Sequence, residues 1–79
     1  MAAIDDVELH GEMTEGLRAI VIRNKTKDRT IAASVLIGGA CEESTVDFTL
    51  APLEEAQVVS ERAGDTRCHY KIDSASYVA

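Results

Sequence analysis

The stretch VDFTL, residues 46–50, alternates apolar and polar side chains without a break. Successive side chains of a β-strand point to opposite faces, so this alternation predicts a strand with one buried face and one solvent-facing face. Residues 68–73, which read CHYKID, repeat the pattern. The two segments favour a fold in which a sheet covers an apolar core with one of its faces.

Three segments nearer the amino terminus also read as strands. Residues 6–13 alternate loosely and predict an edge strand, which the turn-forming residues 14–16 (TEG) then end. Residues 17–23 carry apolar side chains on both faces, as expected of a central strand. Residues 30–37 place apolar side chains at every second position, after the polar, turn-rich loop 24–28. We therefore expect segments 17–23 and 30–37 to form a hairpin.

Residues 52–63 are compatible with a helix or a strand. Pro52 suits the first helical position, two acids follow in the first turn, and Gly64 stands past the end, so the boundary signals are those of a helix. The apolar stripe of such a helix is weak, and Val58 and Val59 favour a strand. We predict a strand here, with a helix over residues 52–63 and an α+β fold as the alternative.

Short strands at near-regular spacing, separated by polar turns, predict two packed antiparallel sheets. A chain of 79 residues is too short for a second domain, so we expect one β-sandwich domain of six to seven strands over residues 1–79. Only three aromatic residues occur, which leaves the core to valine, isoleucine, leucine and alanine.

In residues 46–56 a strand ends, a proline and two acids follow, and the next segment begins. This order resembles immunoglobulin-like sandwiches, which implies an immunoglobulin-like version of the predicted fold. The same residues are similar to those of the curli-assembly chaperones, small exported sandwiches that restrain amyloid subunits. That family usually places glycine after the proline, where Leu53 stands in this chain. No functional residue carries over from the resemblance.

The net charge of −6, from 14 acids and 8 bases, would repel a phosphate backbone and argues against nucleic acid as a partner. The bases that gather within residues 23–29 are interpreted as part of a solvated loop, because no aromatic residue accompanies them. No apolar run approaches the roughly 20 residues that span a bilayer, so membrane insertion is not expected. The expected partner is another protein.

Two cysteines, Cys41 and Cys68, are candidates for a disulfide, since neither belongs to the closely spaced pairs of zinc or redox sites. A bridge would contribute about 3 to 4 kcal/mol by restricting the unfolded chain. It would also imply a periplasmic, extracellular or virion-surface location. Two reduced thiols are the alternative, and they would indicate a cytoplasmic protein.

No constellation of residues predicts a catalytic, cofactor or metal site. His10 and His69 lie in distant segments, and Cys68 would point to the opposite face of its strand from His69. The chain also lacks the Gly-x-Ser-x-Gly elbow of many hydrolases. The triplet Asn24-Lys25-Thr26 is a glycosylation sequon on a predicted loop, which makes Asn24 a candidate acceptor in a eukaryotic secretory route.

These features favour a non-enzymatic interaction module that presents a sheet face or edge to a protein partner. One alternative is an exported chaperone-like inhibitor of amyloid or fibre assembly, which would delay aggregation of a client at substoichiometric ratios. Another is a structural accessory subunit of a viral or cell-surface assembly, which would be incorporated stably into a particle. Three acids lie near the first segment: Asp5, Asp6 and Glu8. Their charge could prevent another strand from pairing with this edge, or it could attract a basic partner.

Overall fold

A computed structural model describes residues 2–62 and 68–78 as one short 3₁₀ helix, Ala3–Asp6, followed by strands. The helix end predicted at Gly64 lies outside the described residues. The six strands are β1 (Val7–Thr14), β2 (Leu17–Asn24), β3 (Thr30–Gly39), β4 (Ser44–Leu50), β5 (Glu55–Arg62) and β6 (Cys68–Val78).

The strands form two antiparallel sheets of three strands each. Sheet A has the order β1-β2-β5, and sheet B has the order β4-β3-β6. The predicted all-β fold is confirmed, as are the edge position of the first strand and the central position of the second. The alternative with a helix over residues 52–63 is wrong, because residues 55–62 pair with β2 as strand β5.

The predicted hairpin between β2 and β3 is wrong, because the two strands lie in different sheets. The chain crosses from sheet A to sheet B in the polar connection between Asn24 and Thr30. A polar, turn-rich connection satisfies its backbone groups equally well in a hairpin and in a crossing between sheets. The sequence of this loop therefore does not distinguish the two topologies.

The core lies between the inner faces of the two sheets. Ile22 of sheet A and Ile31, Val35 and Leu50 of sheet B are buried almost completely. The predicted phase of β3 is confirmed, since its buried residues alternate with half-buried ones. Ala3 of the 3₁₀ helix joins the same core, so the amino-terminal residues cover part of the sandwich interior.

Tyr77, near the end of β6, contacts the 3₁₀ helix and the connection between the two sheets. Its hydroxyl donates a hydrogen bond to the Asp6 carboxylate, and the Arg29 guanidinium carbon lies 4.2 Å from the centroid of its ring. The hydrogen bond to Asp6 raises the pKa of Tyr77 above its usual value, because it favours the protonated phenol. This contact joins the first and last described segments of the fold.

Two of the four edge strands contain a bulge. In the pairing of β2 with β5, Ile20 faces Val59 and Val21 faces Gln57, which leaves Val58 as an extra residue of β5. In the pairing of β3 with β6, Asp73 is the extra residue of β6. A bulge disrupts the ladder and twists the edge, which discourages pairing with another strand.

Candidate interaction edge

Strand β4 is one of two edge strands of the described structure that pair without a register shift. Its seven residues pair with β3 in continuous register, from Ile37 opposite Ser44 to Ile31 opposite Leu50. The other is β1, which pairs with β2 over eight residues but contains Gly11, and a glycine inside a strand weakens it. The edge strands β5 and β6 each contain a bulge. We call the side of Ser44–Leu50 that faces away from β3 the β4 edge.

The β4 edge presents unpaired backbone groups. In an antiparallel pair, the N–H and C=O groups of alternate residues point toward the partner strand or away from it. Within residues 2–62 and 68–78, β3 is the only strand that pairs with β4. The outward groups of β4 are therefore a template to which a further strand can bond.

The two faces of β4 differ in polarity, and this difference determines which side chains an added strand would meet on each face. Phe48 packs against the core, and Val46 is half-buried on the same face of the strand. Thr45, Asp47 and Thr49 are exposed on the outer face. The Ser34 hydroxyl donates to Asp47 Oδ1 at 2.6 Å, which links this outer face to β3. An added strand would meet apolar side chains on one face and polar side chains on the other.

Asn24 holds the carboxyl end of β4 in place. Its side chain is fully buried, and Nδ2 donates to the carbonyl oxygens of Arg29, Leu50 and Ala51 at 2.7, 3.1 and 3.1 Å. Oδ1 accepts from the Thr26 amide at 2.9 Å and from the Thr26 hydroxyl at 2.7 Å. One side chain thus fastens the end of β4 to the connection between the sheets.

The same contacts bear on the predicted glycosylation of Asn24. The sequence placed this residue on a reachable loop, whereas the structure places it at the end of β2 with no exposed surface. In the folded domain Nδ2 is buried and donates to the carbonyl oxygens of Arg29, Leu50 and Ala51. Glycosylation at Asn24 stays a prediction of the sequence alone.

A tight turn follows β4 and presents an exposed apolar side chain. The Glu54 amide donates to the Ala51 carbonyl at 3.0 Å, and the Ala51 amide donates to Glu54 Oε1 at 2.9 Å. Leu53 has φ +62° and is 48% exposed. Because proline fixes a negative φ at Pro52, a positive φ at the next residue identifies a type II turn, in which glycine is preferred at that position.

We predict that Leu53→Gly raises the free energy of unfolding by about 0.5 to 1 kcal/mol. A side chain in the left-handed region costs about 1 to 2 kcal/mol, and the added backbone entropy of glycine offsets part of the gain. Urea denaturation measures the change. Leu53→Ala is the control, since it keeps the Cβ atom and should bring no gain. Equal effects of the two substitutions would show that the turn is not strained.

The amino end of β4 is fastened by the predicted disulfide. Cys41 lies in the connection from β3 to β4 and is bonded to Cys68, the first residue of β6, with their Cα atoms 5.2 Å apart. Cys68 also pairs with Gly39 at the end of β3. The bridge therefore links the segment that enters β4 to the opposite edge of the same sheet.

The two histidines lie together on the other side of the sandwich. His10 of β1 and His69 of β6 line one cleft between the sheets, and His10 Nε2 is 3.2 Å from Glu12 Oε1. Among the residues that the structure describes, no group of three or more His, Cys, Asp or Glu side chains is placed to hold a metal ion. The sequence did not predict that this cleft brings the histidines together.

Sequence reasoning missed the role of Asn24, although a signal was present. Asparagine commonly bonds the backbone amide two residues ahead, and the Asn24–Thr26 pair that forms the sequon also makes this turn. The positive φ of Leu53 was missed as well, although the glycine that the resembled family usually has at this position suits a left-handed turn residue.

In residues 2–62 and 68–78, no helix has the length and apolar character needed to cross a membrane. Comparison with known protein families and with curated protein sequences finds no match to this chain. The geometry of the β4 edge is therefore the basis for a functional proposal.

Proposed function

We propose that this domain is a non-enzymatic protein-interaction module that binds an extended segment of a partner by strand addition at the β4 edge. The observation that carries the proposal is that β4, which contains no glycine, pairs in continuous register on an open edge of sheet B. Main-chain hydrogen bonds supply the affinity in this mode, and alternate side chains supply the specificity.

The fixed ends of β4 support the proposal. The disulfide at Cys41 and the hydrogen bonds of Asn24 hold the strand from both sides. A binding edge that is ordered in advance loses less conformational entropy when a partner docks. The two anchors therefore favour binding as well as stability.

The disulfide also supports an oxidising location, which is periplasmic, extracellular or on a virion surface. A chaperone-like inhibitor of fibre assembly and an accessory subunit of a surface assembly both fit such a location, and either would use the same edge. These two hypotheses stay predictions, as does the immunoglobulin-like topology. Transient binding to a client would favour the chaperone-like inhibitor, and stable incorporation into a particle would favour the accessory subunit.

Titration calorimetry with seven-residue peptides tests the mode of binding. A peptide that alternates valine with glutamine matches the length and the two faces of β4. Two further versions carry N-methyl groups on either the odd or the even residues. We expect the parent peptide to bind and one methylated version to bind at least tenfold more weakly, since several main-chain bonds of about 0.5 to 1.5 kcal/mol each are removed.

A matched pair of substitutions tests whether the peptide binds at the β4 edge or at the opposite edge of sheet B. Thr49 and Ser76 flank the same residue, Ala32, from opposite edges of sheet B, and both are exposed. An edge lysine discourages strand pairing, so Thr49→Lys should weaken binding of the neutral peptide and Ser76→Lys should leave it unchanged. Equal effects of the two substitutions, or indifference to N-methylation, would contradict strand addition at β4.

A further inference from the structure

Most of the chain's net charge lies in β4 and the segments on either side of it. Residues 42–55, which comprise β4 and its flanks, contain five acids and no base. The rest of the chain has nine acids and eight bases and is close to neutral. The net charge of −6 therefore belongs largely to β4 and the segments that flank it.

Few of these acids are neutralised within the described residues. Glu55 Oε1 lies 3.9 Å from Arg23 Nε, with both side chains close to half exposed, so this pair is screened by solvent. Glu43 shares a surface cleft with Lys71 across the end of β3. The other three acids have no ion pair with a described residue. They are Glu42, Asp47 and Glu54.

The contacts of Asp47 and Glu54 leave their charges in place. Asp47 accepts from the neutral Ser34 hydroxyl, and Glu54 accepts from the Ala51 amide. Asp47 stands at the centre of β4 on its outer face, and Glu54 lies beyond its carboxyl end. A strand added to this edge would therefore lie within reach of negative charge at its middle and at its end.

This pattern disfavours a second copy of the chain as the occupant. A symmetric antiparallel pair of β4 edges centred on Asp47 would set the two Asp47 side chains directly opposite each other. Like charges at opposed positions destabilise a pair of strands. The acids that flank β4 would add further repulsion, because each chain carries them at both ends of the strand.

We infer that the β4 edge selects an extended protein segment with lysine or arginine at alternate positions and rejects a second copy of this chain. This inference rests on strand addition at β4. Side chains directly opposite across an antiparallel pair lie about 4.5 to 5.5 Å apart at Cβ, so a basic residue opposite Asp47 can pair with it. Basic residues at the ends of the segment would lie near Glu42 and Glu54.

Three peptides test the inference, each alternating valine with lysine, glutamine or glutamate. We expect the lysine peptide to bind roughly tenfold more tightly than the glutamine peptide, and the glutamate peptide to bind most weakly. Raising sodium chloride from about 0.05 to about 0.5 M should reduce these differences, because salt screens exposed charges. If the three peptides bind with equal affinity and N-methylation still weakens their binding, the charge inference is overturned. Strand addition at β4 would then still stand.

Substitution of Asp47 provides a local test with a matched control. Asp47→Asn keeps an acceptor for the Ser34 hydroxyl. It should reduce the affinity for the lysine peptide about threefold and leave the affinity for the glutamine peptide unchanged. Asp73→Asn also removes one negative charge, from the bulge on the opposite edge, and should change neither of the two affinities. Equal loss with both substitutions would show attraction by net charge alone and overturn selection by the edge.

Sedimentation at low salt tests the rejection of a second copy. We expect a monomer in the wild type and in Thr49→Lys. A wild-type dimer that Thr49→Lys abolishes and Ser76→Lys preserves would overturn this part of the inference.

Discussion

Loss of the Cys41–Cys68 disulfide is expected to lower the free energy of unfolding by about 3 to 4 kcal/mol. The bridge closes a loop with a sequence separation of 27, and the entropy of the unfolded chain rises when that loop is opened. A domain of this size has a narrow margin of stability, so the loss is a large part of the total. It would also release the segment that enters β4.

Urea denaturation of the wild type and of a Cys41→Ala/Cys68→Ala double variant measures this effect. The wild type should lose stability when a reductant is added, and the double variant should not respond. Each single substitution opens the same loop and should cost about as much as both together. A difference below about 1 kcal/mol between oxidised and reduced wild type would contradict the assigned role of the bridge.

Asn24→Ala is expected to lower the free energy of unfolding by about 3 kcal/mol. It removes the donor to the carbonyl oxygens of Arg29, Leu50 and Ala51, and a buried group left without its partner costs about 1 to 3 kcal/mol. Part of this cost is relieved where the carbonyls reach solvent. The end of β4 should loosen as a consequence, and binding of the glutamine peptide should weaken.

Asn24→Asp separates the donor role of this side chain from its acceptor role. It has nearly the same shape and keeps an oxygen for Thr26, but it places a second oxygen against the carbonyls that Nδ2 now bonds. We expect a loss at neutral pH at least as large as that of Asn24→Ala, measured by the same urea denaturation. A stable Asn24→Asp variant would show that the three donated bonds contribute little.

The strand pattern was predictable because burial of one face imposes a period of two on the side chains. It located β4 and the first half of β6, and it placed Ile31, Ala33 and Val35 on one buried face. The strand predicted for residues 52–63 followed from β-branched residues rather than from the helix boundary signals, and the structure places it at Glu55–Arg62. The signals at Pro52 and Glu54 instead belong to the turn after β4.

The position of β4 at an edge was not predictable, because edge and central strands of one sheet share the same alternation. The order of strands depends on where the chain crosses between sheets, and the loop after Asn24 carries no signal for that choice. The burial of Asn24 was hidden for a related reason, since an isolated polar residue at a strand end usually faces solvent. The candidate site thus depends on topology more than on any motif.

Residue-resolved amide hydrogen exchange of the oxidised domain, free and with the lysine peptide, tests strand addition at β4 most directly. In the free domain, alternate amides of β4 should exchange rapidly, because their N–H groups face away from β3, while the intervening amides are protected. The peptide should slow the rapidly exchanging amides of β4 and leave those of the β6 edge unchanged. Outward β4 amides that are already protected in the free domain, or that still exchange rapidly when the peptide is bound, would contradict the proposal.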